Sequence, residues 1–99
     1  MAPRRRVVWS PEARQDLANI YHFIKLDNIK AAKAVTDKLR TLVKNLPDQP
    51  WLGRKVPEHD RDELREQIHS HYRIVYELVG DDELYVLQIF HAAQEELEL

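Results

Sequence analysis

The sequence contains no cysteine, and its only glycines are Gly53 and Gly80. The lack of cysteine excludes disulfides, cysteine-ligated zinc and thiol catalysis. Glycines this far apart also exclude a glycine-rich phosphate-binding loop. No apolar run approaches the roughly 20 residues that a membrane-spanning helix needs, and the apolar stretch behind the N-terminal arginines is too short for a signal peptide. We therefore expect a cytoplasmic protein that uses no metal and no other cofactor.

The charge of the chain is close to balanced. There are 15 Lys and Arg against 17 Asp and Glu, a formal net charge of −2. Proteins that bind ribosomes or duplex DNA electrostatically usually carry a clear basic excess. Basic residues begin the chain at residues 4–6, whereas residues 77–99 contain no Lys or Arg. Bulk attraction to a polyanion is therefore not indicated, although a local basic patch is compatible with this distribution.

Two helices are predicted in the first half of the chain. Ser10-Pro11-Glu12 is a strong helix start, and the apolar residues behind it recur at helical spacing over about 15 residues. A second helix is predicted over residues 29–46, closed by Pro47. Because the link between them is short, the two helices should pack as an antiparallel hairpin.

Short β-prone runs predict four strands: residues 4–9, 64–68, 72–79 and 84–91. Gly80 lies in the turn between the last two. The order is β-α-α-β-β-β, so we predict an α+β fold in which the helical hairpin packs on a twisted, mainly antiparallel sheet. Residues 1–99 should form a single domain. Its ends, 1–5 and 94–99, are expected to fray, and 47–62 to form a long loop.

Strand alternation predicts which side chains share a face of the sheet. In the third predicted strand, Tyr72, Ile74, Tyr76 and Leu78 should lie on one face and Arg73 on the other. In the fourth, the residues expected to lie together are Tyr85, Leu87, Ile89 and His91.

Three residues in this region have the side chains that metal-free RNA cleavage needs. That reaction requires a base for the 2′-hydroxyl proton, a cation for the phosphate and an acid for the leaving oxygen. Glu58, Arg73 and His91 provide these types. The structural alternative is that Arg73 pairs with Glu66 or Glu77 across the sheet and that His91 merely ends a strand. Periodicity does not show that the three converge.

Five short motifs occur in order along the chain. They are Ser10-x-x-Ala13-x-x-Asp16-Leu17-x-x-Ile20, Gly53-Arg54-x-x-Pro57-Glu58, Leu64-Arg65-Glu66, Tyr72-Arg73-Ile74-Val75-Tyr76 and Leu87-Gln88-Ile89-Phe90-His91. Together, over roughly residues 6–93, they resemble the ParE/RelE superfamily, which comprises the toxin halves of bacterial type II toxin–antitoxin modules and includes plasmid-stabilisation proteins. The fold that this resemblance implies agrees with the elements predicted above.

The resemblance implies two different activities. ParE-like members poison DNA gyrase and have no established catalytic residues, whereas RelE-like and YoeB-like members cleave mRNA on the ribosome. A motif match puts Glu58, Arg73 and His91 where YoeB-like toxins have a catalytic glutamate, arginine and histidine. Arg54 and Arg65 would then be supporting phosphate contacts.

Other features favour the ParE branch. The second predicted helix is long, and the basic excess expected of a ribosome-binding nuclease is missing. Ala92 and Gln94 also stand where the nucleases have an aromatic residue and many relatives have an arginine. The leading prediction is a ParE-like toxin that acts by binding, with gyrase as its target. A ribosome-dependent mRNA endoribonuclease is the alternative, and a non-toxic partner-binding module is the third hypothesis.

All three hypotheses imply a protein partner. By resemblance it is a cognate antitoxin whose disordered C-terminal part folds on binding, in a hetero-oligomer, and a homodimer is a further alternative. The apolar strips of the hairpin and the sheet are suited to binding an amphipathic helix or an added strand. The antitoxin contacts that we predict are Leu17, Tyr21, Ile24, Leu39, Val43 and Tyr85.

Overall fold

The structure is a computed structural model, which describes residues 4–91. Its elements are β1 (Arg6–Trp9), α1 (Pro11–Lys25), α2 (Ile29–Asn45), a 3₁₀ turn (Leu46–Asp48), β2 (Arg54–Lys55), β3 (Leu64–His69), β4 (Tyr72–Val79) and β5 (Glu83–His91). Two helices pack on a five-stranded mixed sheet, so the predicted α+β fold is confirmed. The sequence did not predict β2, which lies within the expected loop 47–62, because a two-residue strand is too short to show alternation.

Both helices begin where their capping residues predict. The Ser10 hydroxyl accepts a hydrogen bond from the Ala13 N–H at 2.9 Å, and the Asn28 side chain accepts one from the Ala31 N–H at 3.0 Å. Each cap satisfies an N–H group that has no partner inside its helix. The second helix ends at Asn45, one residue earlier than predicted, because the chain tightens there into the 3₁₀ turn.

The strand order in the sheet is β1-β5-β4-β3-β2. β1 pairs with β5 in parallel, and every other neighbouring pair is antiparallel. A parallel pair needs a long crossover connection, and the helical hairpin between β1 and β5 is part of it. β1 is therefore an edge strand whose outer side has no strand neighbour within residues 4–91.

The sheet has two faces that differ in what covers them. The helices cover one, here called the helix face, and its core side chains include Leu17, Leu39, Val43, Ile74, Tyr76, Leu78, Leu84, Val86 and Ile89. The predicted alternation of β4 is therefore confirmed. The opposite face, here called the helix-free face, carries a smaller cluster of Val56, Leu64, Val75 and Phe90, with Leu87 packed against it.

A β-bulge in β5 changes which side chains share a face. Val75 pairs with Gln88 and Tyr76 with Val86, which leaves Leu87 without a Cα partner on β4. Such a bulge shifts the alternation of the strand by one residue. Tyr85 and Leu87 consequently lie on the helix-free face, while Ile89 and His91 lie on the helix face. The prediction that these four side chains share one face is therefore wrong.

Two side chains from the first helical motif hold the backbone around this bulge. The Ser10 hydroxyl donates to the Leu87 carbonyl at 2.8 Å, and the Asp16 carboxylate accepts from the Ile89 N–H at 2.9 Å. Buried backbone groups that lose a partner in the sheet need another one. Ser10 and Asp16 supply it, which gives this motif a structural role.

Residues 1–3 and 94–99 of the chain ends that were expected to fray lie outside the described residues. Arg4 and Arg5, by contrast, are held in place. Arg4 Nε lies 2.9 Å from the Asp48 carboxylate, and Arg5 Nη2 donates to the Gly80 carbonyl at 2.9 Å. Within residues 4–91, no helix has the length and apolar character to cross a bilayer.

Candidate functional site

The candidate site is an ion-pair network on the helix-free face. The Arg73 guanidinium binds Glu58 through two parallel hydrogen bonds, with Nη1 to Oε2 at 2.8 Å and Nη2 to Oε1 at 2.9 Å. Its Nε donates to Glu66, whose other oxygen accepts from Arg54 Nε at 2.5 Å. The network therefore joins two carboxylates and two guanidinium groups whose formal charges cancel.

Strand alternation brings these residues to one face. Glu66 pairs with Val75 and Ile68 pairs with Arg73, so Glu66 and Arg73 are diagonal neighbours on the same side of the sheet. Arg54 reaches Glu66 because β2 pairs with β3 at that position. Glu58 comes from the connection between β2 and β3, which folds over this face through the buried Val56.

The centre of the network is buried. Glu66 is 1% exposed and Arg73 is 6% exposed, and the Arg73 guanidinium carbon lies 5.0 Å from the centre of the Phe90 ring. Hydrogen bonding to Glu58 is the main cause that raises the pKa of Arg73, and it outweighs the opposing effect of burial. All three guanidinium nitrogens of Arg73 donate to carboxylates, so its charge is directed at Glu58 and Glu66.

The structure thus brings together three of the five residues expected to serve cleavage: Glu58, Arg73 and Arg54. They meet through Glu66, which the sequence suggested only as a structural partner of Arg73. The period-two pattern Leu64, Glu66 indicated that this carboxylate faces inward, and a buried carboxylate needs a cation beside it.

Arg65 lies on the opposite face. It pairs with Tyr76, whose side chain belongs to the helix-face core. Its Nε donates to the Asp62 carbonyl at 2.6 Å, and its guanidinium carbon lies 5.0 Å from the centre of the Trp51 ring. Arg65 is therefore not a phosphate contact beside Arg73 in this structure.

His91 is separated from Arg73 by the sheet itself. It pairs with Tyr72 on the helix face, and its ring stacks on His71 with centroids 5.6 Å apart and planes inclined by 8°. Together with Asp16 of α1 it lines a small cavity of about 270 Å³. Arg73 instead pairs with Phe90 on the helix-free face. An acid at His91 and a base at Glu58 therefore do not face the same reacting phosphate.

Half of the predicted antitoxin contacts belong to the core. Leu17, Leu39 and Val43 are 7%, 0% and 1% exposed, so a partner does not reach their side chains without disturbing the helical hairpin. Tyr21 and Ile24 are partly exposed on α1. Tyr85 is also partly exposed, but it pairs with Glu77 on the helix-free face. The six residues consequently do not form one surface.

Sequence reasoning missed a more exposed apolar group at the tip of the helical hairpin. Phe23, Leu26 and Ile29 are 76%, 83% and 55% exposed. They surround the turn between α1 and α2, and exposed apolar groups of this kind are typical of partner surfaces. Among the described residues, no three His, Asp or Glu side chains are grouped so that they could hold a metal ion.

Two solved structures share this fold. The first is a chain of the chromosomal ParDE toxin–antitoxin system of P. aeruginosa, with a TM-score of 0.71, 21% identity, and coverage of 89% of this chain and 96% of that one. The second is the YoeB dimer of Staphylococcus aureus, with a TM-score of 0.56, 19% identity, and coverage of 87% and 94%. At these identities the likeness establishes the fold alone.

The sequence comparison establishes the family. No curated protein sequence matches this chain. The family model of the ParE toxin of the type II toxin–antitoxin system parDE, however, matches residues 7–96, which is nearly the whole chain. An antitoxin is the partner that such a system supplies. The chain therefore belongs to the ParE toxin family of type II toxin–antitoxin systems.

Proposed function

We propose that this toxin acts in the cytoplasm by binding DNA gyrase and that it does not cleave RNA. The observation that carries the proposal is the arrangement of the three candidate catalytic side chains. Glu58 and Arg73 bind each other on the helix-free face, and His91 lies on the helix face. A toxin whose acid, base and cation do not lie around one substrate phosphate has to act by binding to its target protein.

The hydrogen bonds that Arg73 donates support the same proposal. A cation that stabilises a phosphorane needs donors aimed at the phosphate oxygens. The donors of Arg73 are aimed at Glu58 and Glu66, and an incoming phosphate would have to displace at least one carboxylate from it. The balanced charge of the chain also favours a protein target over a ribosome.

The test is an in vitro supercoiling assay with purified toxin, gyrase and relaxed plasmid. We expect the toxin to inhibit supercoiling or to accumulate cleavage complexes, and addition of the antitoxin to reverse the effect. The variants Glu58→Gln and His91→Ala should retain most of this inhibition, because neither carries out chemistry. Gyrase that stays fully active at a large molar excess of folded toxin would overturn the proposal.

The endoribonuclease remains the second candidate because Glu58 and Arg73 do lie side by side. If it is correct, translating ribosomes supplied with the toxin will yield cut mRNA, and His91→Ala will abolish the cuts without unfolding the protein. If the toxin affects neither gyrase nor mRNA and bacteria grow normally when it is expressed alone, the chain is a non-toxic binding module.

A further inference from the structure

Trp51 presents an exposed aromatic ring beside two arginines, at the end of the sheet where β1 and β3 begin. The residue is 51% exposed although it is large and apolar. The guanidinium carbon of Arg65 lies 5.0 Å from the centre of the Trp51 ring, and that of Arg5 lies 6.0 Å from it. Three segments that are distant in the sequence therefore meet at this ring. These three residues are here called the Trp51 cluster.

The loop that carries Trp51 is anchored on both sides. The Tyr76 hydroxyl donates to the Pro50 carbonyl at 2.9 Å, and Arg65 Nη1 donates to the Gly53 carbonyl at 3.3 Å. Gly53 lies so close to the sheet that a Cβ at this position would overlap the Tyr76 hydroxyl. A ligand that contacts the Trp51 ring consequently does not have to order this loop first, which lowers the cost of binding.

The charges of the two arginines are not neutralised by carboxylates. Arg65 Nε donates to the Asp62 carbonyl at 2.6 Å, and Arg5 Nη2 donates to the Gly80 carbonyl at 2.9 Å. Among residues 4–91, neither guanidinium forms an ion pair. Arg5 Nε is also buried there without a hydrogen-bond partner. Two like charges near one ring repel each other, so an anionic ligand is favoured between them.

The cluster is a local site and not part of a broad basic surface. The neighbouring Arg4 and Arg6 bind Asp48 and Glu83, at 2.9 Å and 2.6 Å. The turn after β4 adds two exposed aspartates at positions 81 and 82. Long-range attraction is therefore weak here, and a ligand has to gain affinity from close contact with the ring and the two guanidinium groups.

A nucleic-acid strand has the chemistry that such a site requires. Bases stack on aromatic side chains and on arginine guanidinium planes, and the phosphates between the bases bind arginine. A protein carboxylate would bind the arginines but would leave the face of the Trp51 ring unused. The proposed function supplies a strand, because gyrase acts on DNA and its cleavage complexes contain broken DNA strands.

We propose that the Trp51 cluster binds a DNA strand in the complex of the toxin with gyrase. One base stacks on Trp51, and Arg5 and Arg65 bind the phosphates beside that base. The source of the strand rests on the proposed action on gyrase, whereas the site itself is tested on the free toxin.

The first experiment measures binding of a fluorescently labelled single-stranded oligothymidylate to the free toxin. Trp51→Ala removes the stacking ring and should weaken binding about tenfold, and Trp51→Phe, which keeps a ring, should stay within about threefold. The matched control is Phe23→Ala, which removes an aromatic ring that is 76% exposed at the tip of the hairpin. It should stay within about twofold. Thermal unfolding of each variant verifies that it is folded.

The salt dependence of the same binding separates the arginines from the ring. Each phosphate contact with a single strand contributes about 0.7 to the slope of log affinity against log salt concentration. Arg5→Gln should reduce the slope by about this amount, and Lys30→Gln, at an exposed position of α2, should leave it unchanged. Trp51→Ala should lower the affinity without changing the slope, because the indole ring carries no charge.

A DNA-cleavage assay with gyrase tests the source of the strand. At equal toxin concentration, Trp51→Ala should accumulate about tenfold fewer cleavage complexes than Phe23→Ala. If the toxin binds oligothymidylate through Trp51 and leaves gyrase unaffected, the proposed function fails while the strand-binding site is retained. If Trp51→Ala acts on gyrase as strongly as Phe23→Ala does, the site does not hold DNA of the gyrase complex.

Two results on the free toxin would overturn the site itself. The first is that folded Trp51→Ala binds the oligothymidylate as tightly as Phe23→Ala does. The second is that polyglutamate, at the same concentration of negative charge, displaces the oligothymidylate as well as unlabelled oligothymidylate does. The cluster would then be a surface for acidic protein segments, since the base would contribute nothing to binding.

Discussion

The two faces of the sheet exclude water by different means. On the helix face, two helices cover an apolar surface, and their side chains interdigitate with those of β4 and β5. On the helix-free face, four buried apolar residues lie beside Glu66 and Arg73, which are buried only because they bind each other and their outer partners Arg54 and Glu58. The charged residues that interrupt these strands are therefore part of the packing of the helix-free face.

Glu66 is the residue of the helix-free face whose loss should destabilise the protein most. We expect Glu66→Ala to lower the free energy of unfolding by about 3–5 kcal/mol, because removal of one partner leaves Arg73 buried without its full set of acceptors. The matched variant is Glu77→Ala, which removes a carboxylate that pairs with the more exposed Arg61 on the same face and should change stability little. Urea unfolding monitored by circular dichroism measures both, and equal effects would contradict the account.

The packing of the helix face is tested at Leu39, which is fully buried between the helices and the sheet. Leu39→Ala should lower the free energy of unfolding by about 2–5 kcal/mol, since it removes buried methyl groups and leaves a cavity. Leu52→Ala, at a side chain that is 73% exposed, should stay within about 0.5 kcal/mol. If Leu39→Ala weakened antitoxin binding without destabilising the free toxin, the assignment of Leu39 to the core would be wrong.

Tyr76 links the helix face to the loop before β2 through one hydrogen bond, so its substitution should have a smaller effect. Its hydroxyl donates to the Pro50 carbonyl at 2.9 Å, and burial raises its pKa. Tyr76→Phe should cost about 1 kcal/mol at neutral pH through the lost hydrogen bond.

The raised pKa of Tyr76 also predicts the direction in which the free energy of unfolding changes with pH. Above the ordinary tyrosine pKa of about 10, the unfolded chain loses the phenolic proton while the folded chain keeps it. The unfolded state then binds fewer protons, so the free energy of unfolding falls as the pH rises through and above that value. Chemical denaturation between pH 8 and 11 should show a shallower fall for Tyr76→Phe. Parallel curves for the two proteins would contradict the burial of this hydroxyl.

Much of the fold could be predicted because its signals are local. Ser10 and Asn28 cap their helices, and alternation in β4 separates Tyr76 from Arg73 as observed. The parallel pairing of β1 with β5 could not be read from the sequence, since its partners, such as Arg6 and Glu83, lie far apart along the chain. The two-residue β2 was missed because it carries no periodicity.

The arrangement of the candidate site was harder to predict, because one additional residue in β5 determines the face of the sheet on which His91 lies. Strict alternation would leave His91 on the same side as Tyr85, but the unpaired Leu87 moves it to the helix face. The hydrogen bonds that hold this bulge come from Ser10 and Asp16, remote in sequence from β5. Residue types and spacing therefore suggest that Glu58, Arg73 and His91 form a catalytic site. The long-range backbone contacts that hold the bulge place His91 on the other face of the sheet.

Pulse-labelling of DNA and protein synthesis in bacteria tests gyrase binding against RNA cleavage. The toxin is induced without its antitoxin, and His91→Ala is induced in parallel. A toxin that binds gyrase should stop DNA synthesis first and raise a DNA-damage response, and the variant should do the same. Protein synthesis that stops first, with new cuts in transcripts that disappear in His91→Ala, would contradict the account and make these side chains an active site.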